Sequence, residues 1–285
     1  MFYASDLSLQ LSWLAEHRME LKIGRTRRII QLTPTTNIPG LSTPCLFKGK
    51  IEGDQDSEVS VSGCQHSKET SVSIASDLLT GGIVDLMIEE GKTKKMDDRS
   101  IAVDLSGREG NRMDYSTADY VFPSEDPFPI GHLWSYPSLP SRVLLKTNIK
   151  YDNSLLEHFD NSHKKTEDWI NAVVQFAKPR MFHKSLTIRV VLEIGEVSHI
   201  NETLKATREK LHYLREKFEK TGDPLTSYFC KDIGRGLKGY AFIGAACDRR
   251  QGQAININEL YSTTESELKT ARTFAHELGH NIGME

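Results

Sequence analysis

At 285 residues the chain is long enough for one large domain or two ordinary ones, and its 38% hydrophobic and 26% charged content lies in the globular range. A net charge of −3 gives no reason to expect a nucleic-acid partner. No apolar run reaches the roughly 18 residues of a transmembrane helix, so this chain carries no membrane-spanning helix of that kind.

In chain order, residues 1–20 read as a short helical tail, with Leu7, Leu11 and Leu14 at helical spacing. The stretch is not a signal peptide: it lacks a basic start, and Asp6, Gln10 and Ser12 break any apolar core. Residues 21–119 read as a β-rich domain. Residues 21–32 predict one strand, which holds Arg25-Thr26-Arg27-Arg28. That run has the form of a proprotein-convertase site, and also of an ordinary basic solvent face. Residues 45–91 predict a β-meander: strands at 45–51, 58–64, 71–74 and 83–88, with turns at Gly53-Asp54 and Gly81-Gly82.

Residues 120–141 hold Pro123, Pro127, Pro129, Pro137 and Pro140. Proline fixes φ and removes a donor, so this stretch reads as a linker. From Arg142 the pattern becomes α/β. Strands are predicted at 143–149 and 186–193, alternating with helices at 167–177 and 202–220. That order predicts a mostly parallel sheet with packed helices, an α+β or α/β class overall. Further strands are expected at 225–229, 239–247 and 254–258.

The four cysteines fall in two close pairs, Cys45 with Cys64 and Cys230 with Cys247, each bracketing strand-like segments. This fits two disulfides in an oxidising compartment; four buried free thiols is the other reading. Asn201-Glu202-Thr203 is a glycosylation sequon. Together these favour a secreted protein whose N-terminal signal lies outside this sequence.

The sharpest chemistry sits at the end. In His276-Glu277-Leu278-Gly279-His280 the two His stand four apart, so one helix face presents both imidazoles to one zinc ion. Glu277 points to the neighbouring sector, where it can hold a water at the zinc and accept its proton. Gly283 can end the helix and turn the chain toward a third ligand. The apolar positions Leu268, Ala271, Phe274, Ala275, Leu278 and Ile282 give the helix a buried stripe. None of the other His has metal-ligand spacing, so they read as structural or surface residues.

Ala275–Met284, A-H-E-L-G-H-N-I-G-M, resembles the active-site helix of the metzincins, and of their adamalysin (reprolysin) branch in particular, with Asn281, Gly283 and Met284 matching. The resemblance implies His276 and His280 as zinc ligands and Glu277 as general base. It places the third His at position 286, so the catalytic domain, 142–285, is expected to be truncated before that ligand. It also implies that Gly239, Ala241, Phe242, Ile243 and Gly244 lie on the cleft's edge strand, where a peptide adds as a further strand. An ordinary hairpin arm is the plainer reading of those residues. Residues 20–115 resemble the family's prodomain, where C-x-F-x-G precedes a strand ending in a second Cys.

The expectation is therefore a zinc metalloendopeptidase acting on protein or peptide substrates, weak or inactive as this chain. A catalytically incompetent fragment or pseudoprotease, acting through binding contacts, is the alternative. A thermolysin-like protease, with a later Glu as third ligand, fits the Gly283 turn less well.

Overall fold

The structure is a computed structural model. It describes residues 8–79, 82–96, 142–181, 189–201, 214, 225–233, 238–242, 246, 254–261 and 266–282. The expected linker at 120–141 and the expected helix at 202–220, apart from Leu214, lie outside the described residues.

Eight strands follow one another in the first part: β1 (Leu9–Ala15), β2 (Arg18–Ile23), β3 (Thr26–Pro34), β4 (Leu46–Ile51), β5 (Glu58–Ser62), β6 (Glu69–Ala75), β7 (Ile83–Glu89) and β8 (Lys92–Lys95). Each pairs antiparallel with the next. Side chains alternate across a strand, and here every second one is apolar. Met19 and Leu21, Ile30 and Leu32, Val59 and Val61, Val72 and Ile74 all enter one buried cluster. The sheet curls almost into a barrel. Thr93 Oγ1 accepts from Leu11 N at 2.8 Å and donates to Leu11 O at 3.1 Å, so a side chain joins β8 to β1. That pairs the backbone of Leu11 on an edge which would otherwise offer unpaired groups.

Two expectations fail here. Of the helix expected in residues 1–20, the described residues 8–20 hold a strand and the start of a second, because Leu9, Leu11 and Trp13 alternate onto the same cluster. Period two outweighs the Leu7, Leu11, Leu14 spacing, and residues 9–20 belong to the sheet rather than to a tail. The single strand expected at 21–32 is two, since Gly24 takes φ 58° and turns the chain into a hairpin. Cys45 and Cys64 are disulfide-bonded, with α-carbons 4.9 Å apart.

The second part holds a five-stranded sheet. Its strands are β9 (Arg142–Asp152), β10 (Arg189–Ile200), β11 (Thr226–Cys230), β12 (Gly239–Ala241) and β13 (Ile255–Glu259). The order is β10-β9-β11-β13-β12; four strands run parallel and β12 runs antiparallel on the edge. Three helices are described: α1 (Asn153–His158), α2 (His163–Met181) and α3 (Ser266–Asn281). Asp152 caps α1, its carboxylate accepting from Leu155 N at 3.1 Å, and it also accepts from Tyr228 OH at 2.9 Å. Trp169, Ile170, Val173, Phe176 and Ala177 of α2 join Leu268, Ala271, Phe274 and Leu278 of α3 in one core with the sheet.

Helix α2 is buried on its other side as well, because the first sheet packs there. Ser60 Oγ of β5 donates to Gln175 O at 3.0 Å and accepts from Gln175 Nε2 at 3.0 Å. In the segment between β3 and β4, Asn37 N donates to Asn171 Oδ1 at 2.7 Å, and Thr43 Oγ1 accepts from Asn171 Nδ2 at 2.7 Å. Asp85 of β7, only 3% exposed, receives Arg180 of α2 and Arg272 of α3 on one carboxylate oxygen; Arg272 Nε lies at 2.7 Å. Burial pushes the Asp85 carboxyl up. The two guanidiniums, with hydrogen bonds from Arg180 and Ser73, outweigh that and hold it below the usual carboxylate range.

Candidate metal centre

Helix α3 carries T-F-A-H-E-L-G-H-N, and its placement decides the site. Leu268, Ala271, Phe274 and Leu278 are buried on one side, which turns the next sector toward β12. His276 is exposed, His280 is buried, and their Nε2 atoms stand 2.9 Å apart with ring planes at 77°. The i, i+4 spacing thus brings two imidazole nitrogens to one point. Zinc–nitrogen bonds of about 2.0–2.1 Å at tetrahedral angles set two ligand nitrogens about 3.3 Å apart, so a small side-chain adjustment suits the pair to one ion. Two neutral imidazoles also match the donors zinc prefers. Among the described residues, no group of three His, Cys, Asp or Glu converges, so the fit covers two ligands.

Glu277 occupies the adjacent sector, 4% exposed, with its side chain against Gly239 at the start of β12. Asn281, fully buried, ties the end of the helix to the sheet. Its Nδ2 donates to Phe242 O at 3.0 Å and to Ile255 O at 3.1 Å, and its Oδ1 accepts from Asn256 Nδ2 at 2.8 Å. Asn256 in turn donates to Ser227 Oγ at 3.0 Å, carrying the network into β11. The edge strand is anchored at its start by Lys238, whose Nζ lies 2.5 Å from Glu259 Oε1; Glu259 Oε2 also accepts from Ile233 N at 2.8 Å. Burial raises the Glu259 carboxyl against these partners.

Gly239, Ala241 and Phe242 therefore stand on the sheet edge beside α3; Tyr240, Ala241 and Phe242 are buried and Gly239 is half-buried. Ile243, Gly244 and Cys247 lie outside the described residues. Cys230 is buried at the end of β11, its Sγ 3.7 Å from Asp232 O. Asn201 is exposed after β10 and accepts from Asn153 Nδ2 at 3.1 Å. His163 and His199 flank Tyr151, with His163 Nδ1 2.7 Å from the phenol and His199 Nε2 2.7 Å from Asn153 Oδ1. Sequence reading missed the staple made by Asn281 and the Asp85 clamp. The alternation Ile255-Asn256-Ile257-Asn258 was the one available signal that polar groups lie buried under the helix.

Helix α3 thus presents His-Glu-x-x-His beside the antiparallel edge of a parallel sheet, the pattern expected of a metallopeptidase. The family comparison agrees: the sequence pattern of the metallo-peptidase family M12, reprolysin type, matches residues 142–285. The chain belongs to that family. It is 25% identical over 273 residues to a "Zinc metalloproteinase-disintegrin-like" protein of Cerberus rynchops, covering 87% of this chain and 41% of the relative. It is 21% identical over 270 residues to "Zinc metalloproteinase-disintegrin-like BmMP" of Bungarus multicinctus, with the same coverages of 87% and 41%. It is 28% identical over 145 residues to "Disintegrin and metalloproteinase domain-containing protein adm-2" of Caenorhabditis elegans, covering 47% of this chain and 14% of that protein. The chain thus spans about two-fifths of the snake relatives and a smaller part of the nematode one.

Proposed function

We propose that the chain joins a β-rich prodomain, which includes residues 21–119, to the catalytic part of a zinc-dependent metalloendopeptidase, residues 142–285, and that the enzyme acts on peptide bonds of protein substrates. The observation that carries this reading is the convergence of His276 and His280 beside a buried Glu277 at the sheet edge. His276 and His280 would hold the zinc. Zinc, when bound, supplies Lewis acidity that polarises a carbonyl and acidifies water. Glu277 takes the proton of the attacking water on its carboxylate and delivers it to the leaving amine. Strand β12 and the residues after it, through Gly244, would orient the peptide by backbone hydrogen bonds. Secretion, glycosylation at Asn201 and a Cys230–Cys247 disulfide complete the reading.

A second reading has a specific observation behind it. Only two ligands converge among the described residues, whereas a catalytic zinc normally takes three from the protein. A binding role without catalysis follows if zinc is not held. The test is zinc stoichiometry and hydrolysis of a fluorogenic peptide by the chain, by a form that carries a third zinc ligand, and by the Glu277→Ala variant of that form. Glu277→Ala should keep the zinc and lose hydrolysis, because it removes the base without removing a ligand. Undiminished hydrolysis by that variant would rule out Glu277 as the base, and absence of zinc binding by the unmodified chain would favour the binding role.

A further inference from the structure

Gly239 opens β12 opposite Asn258 of β13. A Cβ built on it would stand 2.6 Å from Cδ and 2.7 Å from Cγ of Glu277, with Oε1 closer still. Contacts under 3.0 Å are essentially never made by real Cβ atoms. Backbone conformation is not the reason for a glycine here, since Gly239 is absent from the positive-φ glycines. The collision would be with the outer end of the Glu277 side chain, so what it costs depends on whether that end can move.

Neither neighbour can yield easily. Glu277 is 4% exposed, so its three outer atoms cannot swing freely into water. Helix α3 cannot back away, because Asn281 fastens it to Phe242 O and Ile255 O. Strand β12 cannot shift outward, because Gly239, Tyr240 and Ala241 are laddered to β13 and Lys238 is paired with Glu259. Helix, strand and carboxylate are locked around one missing methyl group.

We propose that Gly239 is a positioning residue for Glu277: the space left by its absent side chain is the seat that fixes the carboxylate between the His-bearing helix and the edge strand. This differs from a role in admitting the peptide, which would act on substrate affinity. Its catalytic meaning rests on the reading of Glu277 as general base.

The test is a double-mutant cycle on the 285-residue chain, read by thermal unfolding, with Gly239→Ala, Glu277→Ala and the pair. Overpacking a fitted site should lower Tm by about 3–8 °C in Gly239→Ala. In the Glu277→Ala background the same change should lower Tm by no more than about 1 °C, since the colliding atoms are gone. If Gly239→Ala alone does not fold, recovery of folding in the double variant supports the seat. Equal losses in both backgrounds, or a double variant that also fails to fold, overturn it. Kinetics separate positioning from packing. In a form that carries a third zinc ligand, Gly239→Ala should lower kcat on a fluorogenic peptide by about 10²-fold with KM nearly unchanged. A raised KM with kcat unchanged would assign Gly239 to peptide contact and overturn the proposal. A coupled cycle in a form that carries a third zinc ligand, yet neither binds zinc nor cleaves peptide, would sink the catalytic reading of Glu277 and leave the seat standing. Zinc binding with additive losses would do the reverse.

Discussion

The two sheets solve the same problem with different interiors. The first is antiparallel, each strand paired to its chain neighbour, and its curled interior is an apolar cluster built from every second residue. The second is mostly parallel, joined through long connections, and it buries Thr147, Ser227, Asn256 and Asn258 beneath helix α3. An apolar interior tolerates small shifts, because dispersion is non-directional. A hydrogen-bonded interior fixes distances, and an unmade bond there leaves a desolvated group. The polar network lies where position matters, between the edge strand and the helix that carries Glu277. The regular barrel-like sheet serves instead as a brace: it grips α2 and α3 from behind through Asp85, Ser60 and the Asn37 segment.

Breaking the brace should have the largest effect. Asp85→Ala leaves Arg180 and Arg272 buried without their shared carboxylate, and loss of one partner from a buried ion pair costs about 3–5 kcal/mol. Denaturant unfolding of the variant should show that loss. The mildest result, under about 1 kcal/mol, would mean that the arginines find water and that the brace is not held at this point. The Cys45–Cys64 disulfide closes a 19-residue separation, for which chain-entropy reasoning gives about 3 kcal/mol. Its removal should weaken the first sheet and leave the fluorescence of Trp169, in the second core, unchanged until the main transition.

Breaking the polar interior should come next. Asn281→Ala frees Phe242 O, Ile255 O and Asn256 Nδ2 from the staple, a loss of about 2–4 kcal/mol when these groups stay dry. Hydrogen exchange should rise first in β12 rather than in the barrel-like sheet. Uniform acceleration over both sheets would show that the network does not act locally.

How far the residues disclosed this differs between the two sheets. Strands β4 to β7 were legible because alternation and turn residues are local signals, and the helix of His276 and His280 was legible because its period is local too. Strand β8, Lys-Thr-Lys-Lys, has no apolar alternation and was missed; its place is set by Thr93 closing on β1. The hairpin at Gly24 was missed because Thr26-Arg27-Arg28 offers no break in strand propensity. Asp85 lies inside the strand expected at 83–88, with no local signal of a charged partner. Only the packing of α2 and α3 against that strand makes it a buried anion, and the sequence separation from Asp85 to Arg272 hides the partner. Gly239 read as a small residue at a cleft lip, because the side chain it faces lies on an element far along the chain.

The smallest effect tests the joint between the two sheets by pH. Glu267, in the first turn of α3, meets Ser62 of β5; burial pushes its carboxyl up to about 7, against the opposing hydrogen bond from Ser62. A carboxyl raised in the folded state adds stability that is fully present below its unfolded value near 4.5 and is lost as pH rises through about 7. Asp85 has the opposite sign: its depressed carboxyl adds stability above its unfolded value near 3.8, which is lost as pH falls through the lower folded value. From these two groups stability should therefore be greatest near pH 4, between their unfolded values of 3.8 and 4.5, and decline on both sides. Glu267→Gln should flatten the alkaline decline by about 2–3 °C in Tm between pH 5 and 8 and leave the acid limb in place. Asp85→Asn should do the converse, removing the acid limb and leaving the alkaline one. Thermal scans of the three proteins across this range give the comparison directly. An alkaline limb unchanged in Glu267→Gln would show that the contact with Ser62 does not bind the helix to the first sheet.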